Sequence, residues 1–521
     1  MARATDKSQI IPVYEKIGYA FGDSAANFVF LTMVCFQQAF YTDVMRLSPG
    51  QAAMAILIPR LWDAFFDPII GSTADRTRTR WGRFRPWVIW SAAPWSIVMT
   101  LAYFTPTGWS NAAMLTWAIV TNTLLMSLYS ANNMPYAALG GVMSSDQSER
   151  NKLNAYRFAA VVFAQWIVQT FTLVLRDKFA GQRTPDMSNE TWNTHQAHGW
   201  EVTIGIYAVI CFFCFVITFA TTKERVHAIS NEKRPLKRDL ADLLKNGPWI
   251  IMFLVTFIHF SLISFQGGAG YQYITRYANS QAAYDVLHNM GLTDPNLKPG
   301  ETAHGFLGTV GYIIPGTREM AGSTANSALY GIAGTVSKVF QIIGIICAPL
   351  LAMRFGKKAV VITGFLLSVL VNFAFYFLGK NDIVGMLALT GLFGLVYGPT
   401  IPLVWAIFAD VVDFGEWKLG YRATGIVFAT IGFGLKAGLA FGGAALGWVE
   451  GAVGYNSDNV TERSLQMFRV CNSIVPAVLF LICAGILFRL WLNKQTTQQV
   501  AEELAARRNA SSGTSSTAMT A

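Results

Sequence analysis

The chain has 521 residues, 53% of them hydrophobic and 13% charged, with a mean hydropathy of +0.38. Soluble domains carry about a quarter charged residues, so this composition argues against a soluble enzyme or binding domain and for a polytopic membrane protein. The formal charge of +10 implies no nucleic acid, because the basic residues fall between apolar runs, as they do in the loops of membrane proteins.

The first residues, MARATDKSQIIPVYEK, are polar and lack an apolar signal core, so no cleaved signal peptide is expected. A membrane helix needs about 20 mostly apolar residues. Six such stretches lie in the first half, at about 17–42, 50–72, 86–105, 112–140, 153–175 and 201–221. Six more follow at about 248–274, 325–352, 357–379, 384–411, 423–448 and 467–491. Arg76, Arg78, Arg80, Arg83 and Arg85 crowd one loop, a run from Lys223 to Lys245 fills the central linker, and Arg354, Lys357 and Lys358 fill a third loop. The alternate loops are poor in Lys and Arg, which puts both termini in the cytoplasm. The expected organisation is a six-helix bundle over 1–222, a cytoplasmic linker over 223–247 and a second bundle over 248–492. Residues 276–324 read as an external insert, either a lid or a tolerated insertion, and 493–521 as a disordered cytoplasmic tail. A Gly-plus-basic turn after the second helix is echoed after the eighth, the repeat signature of a two-bundle transporter. The six cysteines lie in or beside apolar runs, and Cys211 and Cys214 have no second pair or His cluster, so they read as packing residues.

Each charge inside a span costs roughly 2.5–3.5 kcal/mol and needs a reason. The first helix carries Asp23 and Asn27 at i and i+4. The second, in RLWDAFFDPIIG, places Asp63 and Asp67 on one face. Two neighbouring carboxylates repel unless a cation or proton lies between them, so the pair reads as an H⁺ or Na⁺ site, against a buried salt bridge to Arg60 or to a distant lysine. The fourth helix has Ser130, Asn132 and Asn133 just before Pro135; Asn133 either lines a cavity or holds two helices together. Arg157, early in the fifth helix, either faces a site or snorkels. The seventh ends in SFQGGAGYQYITRY, where Tyr271 and Tyr273 either stack on a sugar or form an interfacial belt. Lys338 in the eighth helix reads as structural and His259 as a packing residue. Lys436, in mid-eleventh helix, must pair with an acid or line a watery cavity.

The motifs EKIGYAFGD, RLWDAFFDPIIGSTADRTRTRWGRFRPW, NNMPYAAL, ADVVDFGEWKLGYRATG and LKAGLAFGGAALGW, spaced in order from about Glu15 to Leu492, together resemble the glycoside–pentoside–hexuronide:cation symporter family. This is the melibiose permease branch of the major facilitator superfamily. The resemblance implies an all-α fold of twelve transmembrane helices in two six-helix bundles. It implies a cation site at Asp63, Asp67 and Ser130, with Phe66 where the family has an asparagine ligand, which leaves Na⁺ short of an oxygen. It implies sugar binding by Arg157 and Lys436, with Asn27 and Asn133 where melibiose permease has two aspartates and Ala137 where it has a tryptophan. It implies a cytoplasmic charged gate of Asp410, Asp413, Glu416 and Arg422.

Two acids replaced by Asn make the cavity less negative, which favours an anionic sugar such as a hexuronide or a sulfonated sugar. The expectation is a cation-coupled sugar symporter of a bacterial-type inner membrane, working as a monomer in the bilayer, with H⁺ or Na⁺ as coupling ion, no cofactor and no covalent chemistry. A neutral glycoside symporter is the alternative; a lysolipid carrier, a membrane-embedded enzyme and a non-transporting sensor are the further rivals.

Overall fold

The computed structural model describes residues 10–517 apart from 107, 182, 184–186, 227–242, 244, 298–300, 302, 320–321 and 420–423. The first half holds α1 (Val13–Ala39), α2 (Pro49–Arg76), α3 (Arg85–Ala102), α4 (Asn111–Val142), α5 (Gln147–Ala180) and α6 (Asn189–Thr221). Polar caps start several of them beyond the apolar stretch that marks each in sequence. Ser48 and Gln51 form a reciprocal capping box on α2, and Ser110, Asp146 and Ser188 cap α4, α5 and α6.

The second half begins with α7 (Gly247–Gln272). The insert follows and is folded: α8 (Ser280–Asn289), a short parallel pairing of β1 (Thr293–Asp294) with β2 (Ile314–Pro315), and α9 (Gly305–Val310) between the two strands. Although it belongs to the second half, the insert rests on the first: the Tyr312 hydroxyl donates to the Thr170 carbonyl of α5 at 2.7 Å, and Lys178 donates to the Thr309 carbonyl. Then come α10 (Gly322–Phe355), α11 (Lys357–Phe375), α12 (Ile383–Tyr397), α13 (Thr400–Leu419), α14 (Thr424–Val453), α15 (Glu462–Asn472) and α16 (Ile474–Phe488). One sequence stretch is split into α12 and α13 at Gly398–Pro399, where the imino residue offers no N–H to continue the ladder. The last is split into α15 and α16 at Ser473.

Among the described residues ten helices or joined pairs of helices are long and apolar enough to cross a membrane. The two expected spans that fall short are α2, with Arg60, Asp63, Asp67, Asp75 and Arg76, and α3, with Arg85, three tryptophans and two prolines. Both lie among spanning neighbours: α2 runs along α4 and α14, and α3 along α4 and α6. Twelve spans in two bundles result, and the chain is a multi-pass membrane protein.

The halves meet along α2 with α14, α5 with α10, and α1 with α7. Exchanging the two halves maps the first two pairs onto one another and α1 onto α7, the relation expected of a duplicated six-helix unit. Within the second half, α7 and α14 approach closely. A Cβ added to Gly438 would meet the Phe257 carbonyl at 2.4 Å, and one on Gly442 the Ser261 carbonyl at 1.9 Å. Small residues at helical spacing let two membrane helices touch backbone to backbone.

The ends of α1 and α7 share a feature not foreseen from the sequence. Each passes into a single π turn, Phe40–Val44 and Tyr273–Tyr277. The fourth residue of the first turn is Asp43 and of the second Arg276, and the two side chains pair at 2.7 Å.

The tail differs from expectation. It forms α17 (Lys494–Thr517), whose Val500 and Leu504 are buried, and Trp417 of α13 donates to Glu503 at 2.6 Å. The physical reason lies ahead of the Ser-rich end: Val500 and Leu504 stand at i and i+4 among Gln, Glu and Ala, a short amphipathic stripe. The six cysteines are free, and Cys211 and Cys214 lie in the core of the first bundle.

Candidate substrate and cation site

Near the midpoint of the α2–α4–α14 contact four sequence-selected residues converge. Lys436 Nζ lies 2.8 Å from Asp63 Oδ2 and 2.6 Å from Asp67 Oδ2. Ser130, fully buried, sets its hydroxyl against the other oxygen of each carboxylate, Asp63 Oδ1 and, at 2.6 Å, Asp67 Oδ1. The salt bridge weighed against a cation site is present in this structure, and its base is the distant lysine, Lys436, and not Arg60. Arg60 is buried and turns away, donating to Ser264 of α7 at 2.9 Å and to the Leu439 carbonyl of α14 at 2.6 Å. Asp67 lies one turn nearer than Asp63 to the side where α2 meets the basic loop, and its side chain is the more exposed, 17% against 6%. Phe66 stacks on Trp62 with ring centroids 5.6 Å apart and gives the pair no oxygen. The oxygen donors in hand for a monovalent cation are therefore two carboxylates and one hydroxyl. Among the described residues no group of three or more His, Cys, Asp or Glu side chains gathers as a metal cluster.

A cavity of about 70 Å³ adjoins this group, lined by Arg60, Asp63, Lys436 and apolar side chains including Phe30, Met126 and Tyr129. Small-molecule sites span roughly 300–1,000 Å³, so this space suits water rather than a sugar.

A second polar row crosses from α1 through α5 to α10. Arg157 Nε donates to Asp23 Oδ2 at 2.6 Å. Asn27 donates to the Asp23 carbonyl at 2.9 Å and accepts from Gln165 Nε2 at 2.9 Å. Gln165 in turn accepts from Lys338 at 3.1 Å. Arg157, paired with Asp23, does not snorkel away. Gln165, Lys338 and Gln341 were passed over in the sequence, since glutamines carry no charge signal and Lys338 read as structural.

Other candidates lie apart. Asn133 is half-buried on α4, while its neighbour Asn132 is buried and donates to Ser91 of α3 at 2.8 Å. Tyr271 and Tyr273 are buried in aromatic clusters near the insert: Tyr271 packs on Phe36 and Tyr330, and Tyr273 stacks on Tyr277. His259 is buried against Tyr397, as its packing role requires. Of the gate residues, Asp410 pairs at 2.6 Å with Lys357, on α11 of its own half; Asp413 and Glu416 follow on α13, and Arg422 lies outside the described residues.

Among the described residues a further set of polar bridges between the halves lies on the insert side. Asp43 takes Arg276 on one oxygen and the Tyr455 hydroxyl, at 3.0 Å, on the other. Gln38 donates to the buried Glu450 at 2.8 Å. Arg176, held by Asp177, reaches Tyr271 and Ser327, and Arg46 pairs with Asp458 at 2.7 Å beside a pocket of about 520 Å³. The insert side is thus latched shut. In the sequence these charges lie at or beyond the ends of the expected spans, and nothing in their spacing announces the pairings.

The family model described as MFS/sugar transport protein matches residues 18–293 and 318–494, leaving out the middle of the insert. The inner membrane symporter YicJ of Escherichia coli K12 is 31% identical over 502 residues, covering 96% of each chain. The isoprimeverose transporter of Lactiplantibacillus pentosus is 29% identical over 496 residues, 95% of this chain and 91% of that one. The solved xylose transporter XylE of E. coli shares the fold alone, with a TM-score of 0.54 at 11% identity over 94% of this chain and 98% of that one. With its two six-helix bundles and its ordered family motifs, this chain belongs to the sugar-transport family of the major facilitator superfamily, the glycoside–pentoside–hexuronide:cation symporters, which are transporters and not enzymes.

Proposed function

We propose that the chain is a proton-coupled symporter that imports an anionic sugar, a hexuronide or a sulfonated sugar, across a bacterial inner membrane by alternating access. The observation that carries this reading is the Asp63–Asp67–Ser130–Lys436 group at the contact between the halves. A serine hydroxyl has one hydrogen to donate, yet Ser130 lies within hydrogen-bond reach of both carboxylates. A proton on one of them supplies the second hydrogen, and no further ligand is needed. Na⁺ needs several oxygens held together, and Phe66 removes one. When the proton leaves, Lys436 is the internal counter-ion for both carboxylates. The names of the relatives support a sugar and an inner membrane.

The anionic reading is supported by the charge of the midplane. Arg60, Arg157, Lys338 and Lys436 stand against Asp23, Asp63 and Asp67, one base more than acids. Proteoliposome uptake of a para-nitrophenyl glucuronide and the matching glucoside under an imposed pH gradient, in sodium-free buffer, tests both halves of the proposal, and faster uptake of the neutral glucoside would reject the anionic sugar. Uptake driven by the gradient and lost in Asp67→Asn, with sugar exchange spared, is expected. Uptake indifferent to pH but stimulated by Na⁺ would reject the proton. Concentrative uptake surviving in both Asp63→Asn and Asp67→Asn would reject the site.

The same proposal sets the termini, the linker and the Arg76–Arg85 loop in the cytoplasm, with the insert outside. An impermeant thiol reagent on intact cells should label Asn296→Cys and not Arg80→Cys, both at exposed positions; the reverse pattern would overturn the orientation.

A further inference from the structure

Among the described residues Lys338 is a cation without a counter-ion. Its ammonium touches two neutral amide oxygens, Gln165 Oε1 at 3.1 Å and Gln341 Oε1 at 3.0 Å. Among the described residues no carboxylate comes within ion-pair distance of it, whereas Arg157 and Lys436 are both matched by aspartates; Arg60 also lacks a carboxylate, but it is buried and its guanidinium is held by Ser264 and the Leu439 carbonyl. It lies on α10 where that helix crosses α5, well inside the bundle, yet its side chain is only partly buried, as are those of Gln165, Gln341, Asn27 and Arg157. An ammonium has three hydrogens to donate, and the two amides take two. An unmatched charge deep in a low-dielectric interior is costly unless a partner arrives to neutralise it.

From this we infer that Lys338 is the residue that reads substrate charge: it binds the single carboxylate or sulfonate of an acidic sugar, while Asn27 and Gln165 take hydroxyls. The inference rests on the anionic-sugar reading above and names its determinant. The hydrogen-bond directions fit it. Lys338 fixes which way the Gln165 amide faces, so that its NH₂ points to Asn27, and an ammonium together with the two amides offers charge and hydrogen bonds side by side. With the coupling proton bound the midplane carries two positive charges in excess, and one monoanion offsets one of them. The rival role, a structural tie between α5 and α10, would need the amides but not the charge.

The test uses the full-length purified protein in nanodiscs and a panel of para-nitrophenyl glycosides: glucuronide, sulfoquinovoside, glucoside and xyloside. The readout is the ratio of acidic to neutral affinity. The wild type is expected to prefer the acidic members. Lys338→Gln should lower that ratio tenfold or more, and Lys338→Arg should keep most of it. Gln165→Glu gives a second, independent variant: it leaves Lys338 in place but pairs it internally, and should lower the ratio as well. A wild-type preference for acidic sugars that survives both Lys338→Gln and Gln165→Glu would overturn the assignment and leave the anionic reading standing. Losses equal for acidic and neutral sugars would assign Lys338 a structural role. A wild type that prefers the neutral sugars would overturn the anionic reading itself, and the assignment with it.

Discussion

Ser130 decides how the two carboxylates of α2 share one site. Removing its hydroxyl leaves an oxygen of the buried Asp63 and one of the half-buried Asp67 without that partner, at a cost of about 1–3 kcal/mol. Ser130→Ala is therefore expected to cut gradient-driven uptake about tenfold or more while exchange continues, and Ser130→Thr, which keeps the hydroxyl, to restore it. Equal activity of the Ala and Thr variants would show that the hydroxyl is a bystander. At this scale the sequence was legible where chemistry is expensive. Asp63, Asp67 and Lys436 stand out because a charge in an apolar run demands an explanation, and spacing puts both acids on one face. Spacing does not say what faces them, so a salt bridge to Arg60 or to a distant lysine stayed open until the crossing of α14 over α2 brought Lys436 to both acids. Spacing is equally silent about Lys338, whose partners are neutral amides, one of them on another helix.

Helices are positioned here by what they lack as much as by what they carry. Gly434, Gly438 and Gly442 recur every four residues along the face that α14 turns to α7, and that contact holds Lys436 at the depth of the carboxylates. Gly438→Val should force the two backbones apart, at about 1–3 kcal/mol or more, seen as a lower thermal midpoint in detergent. Gly432→Val, where an added Cβ meets nothing within 4 Å, should leave the midpoint nearly unchanged. The carboxyl-terminal α17 is held by Val500 and Leu504 on α13. Leu504→Asp should release it, read as faster trypsin cleavage at Arg507; unchanged cleavage would mean that the docking contributes little. Helix number and order followed from apolar length, because the bilayer imposes that length. The helix ends did not: α5 and α6 extend past their apolar cores on polar caps, and the π turns leave no compositional trace.

The whole molecule is bridged on the insert side, so the first step toward opening there is the loss of those bridges. Arg276→Gln removes the cation from the buried Asp43, a charged hydrogen bond worth about 1.5–3 kcal/mol, or a ten- to hundredfold shift between conformations. Spin labels at Asn189→Cys and Glu462→Cys, one on each half, should move apart in this variant; an unchanged distance distribution would place the latch elsewhere, with Arg46–Asp458 and the docked insert the next to remove. Asp43 and Arg276 occupy matching places in matching turns of the two halves. In a carrier built from two identical units, a residue at such a place would confront its own copy, acid against acid or base against base, and the shared face would repel itself. An attractive ion pair at this point needs halves that differ in sequence here, so this closure depends on the asymmetry of the two halves and not on their likeness.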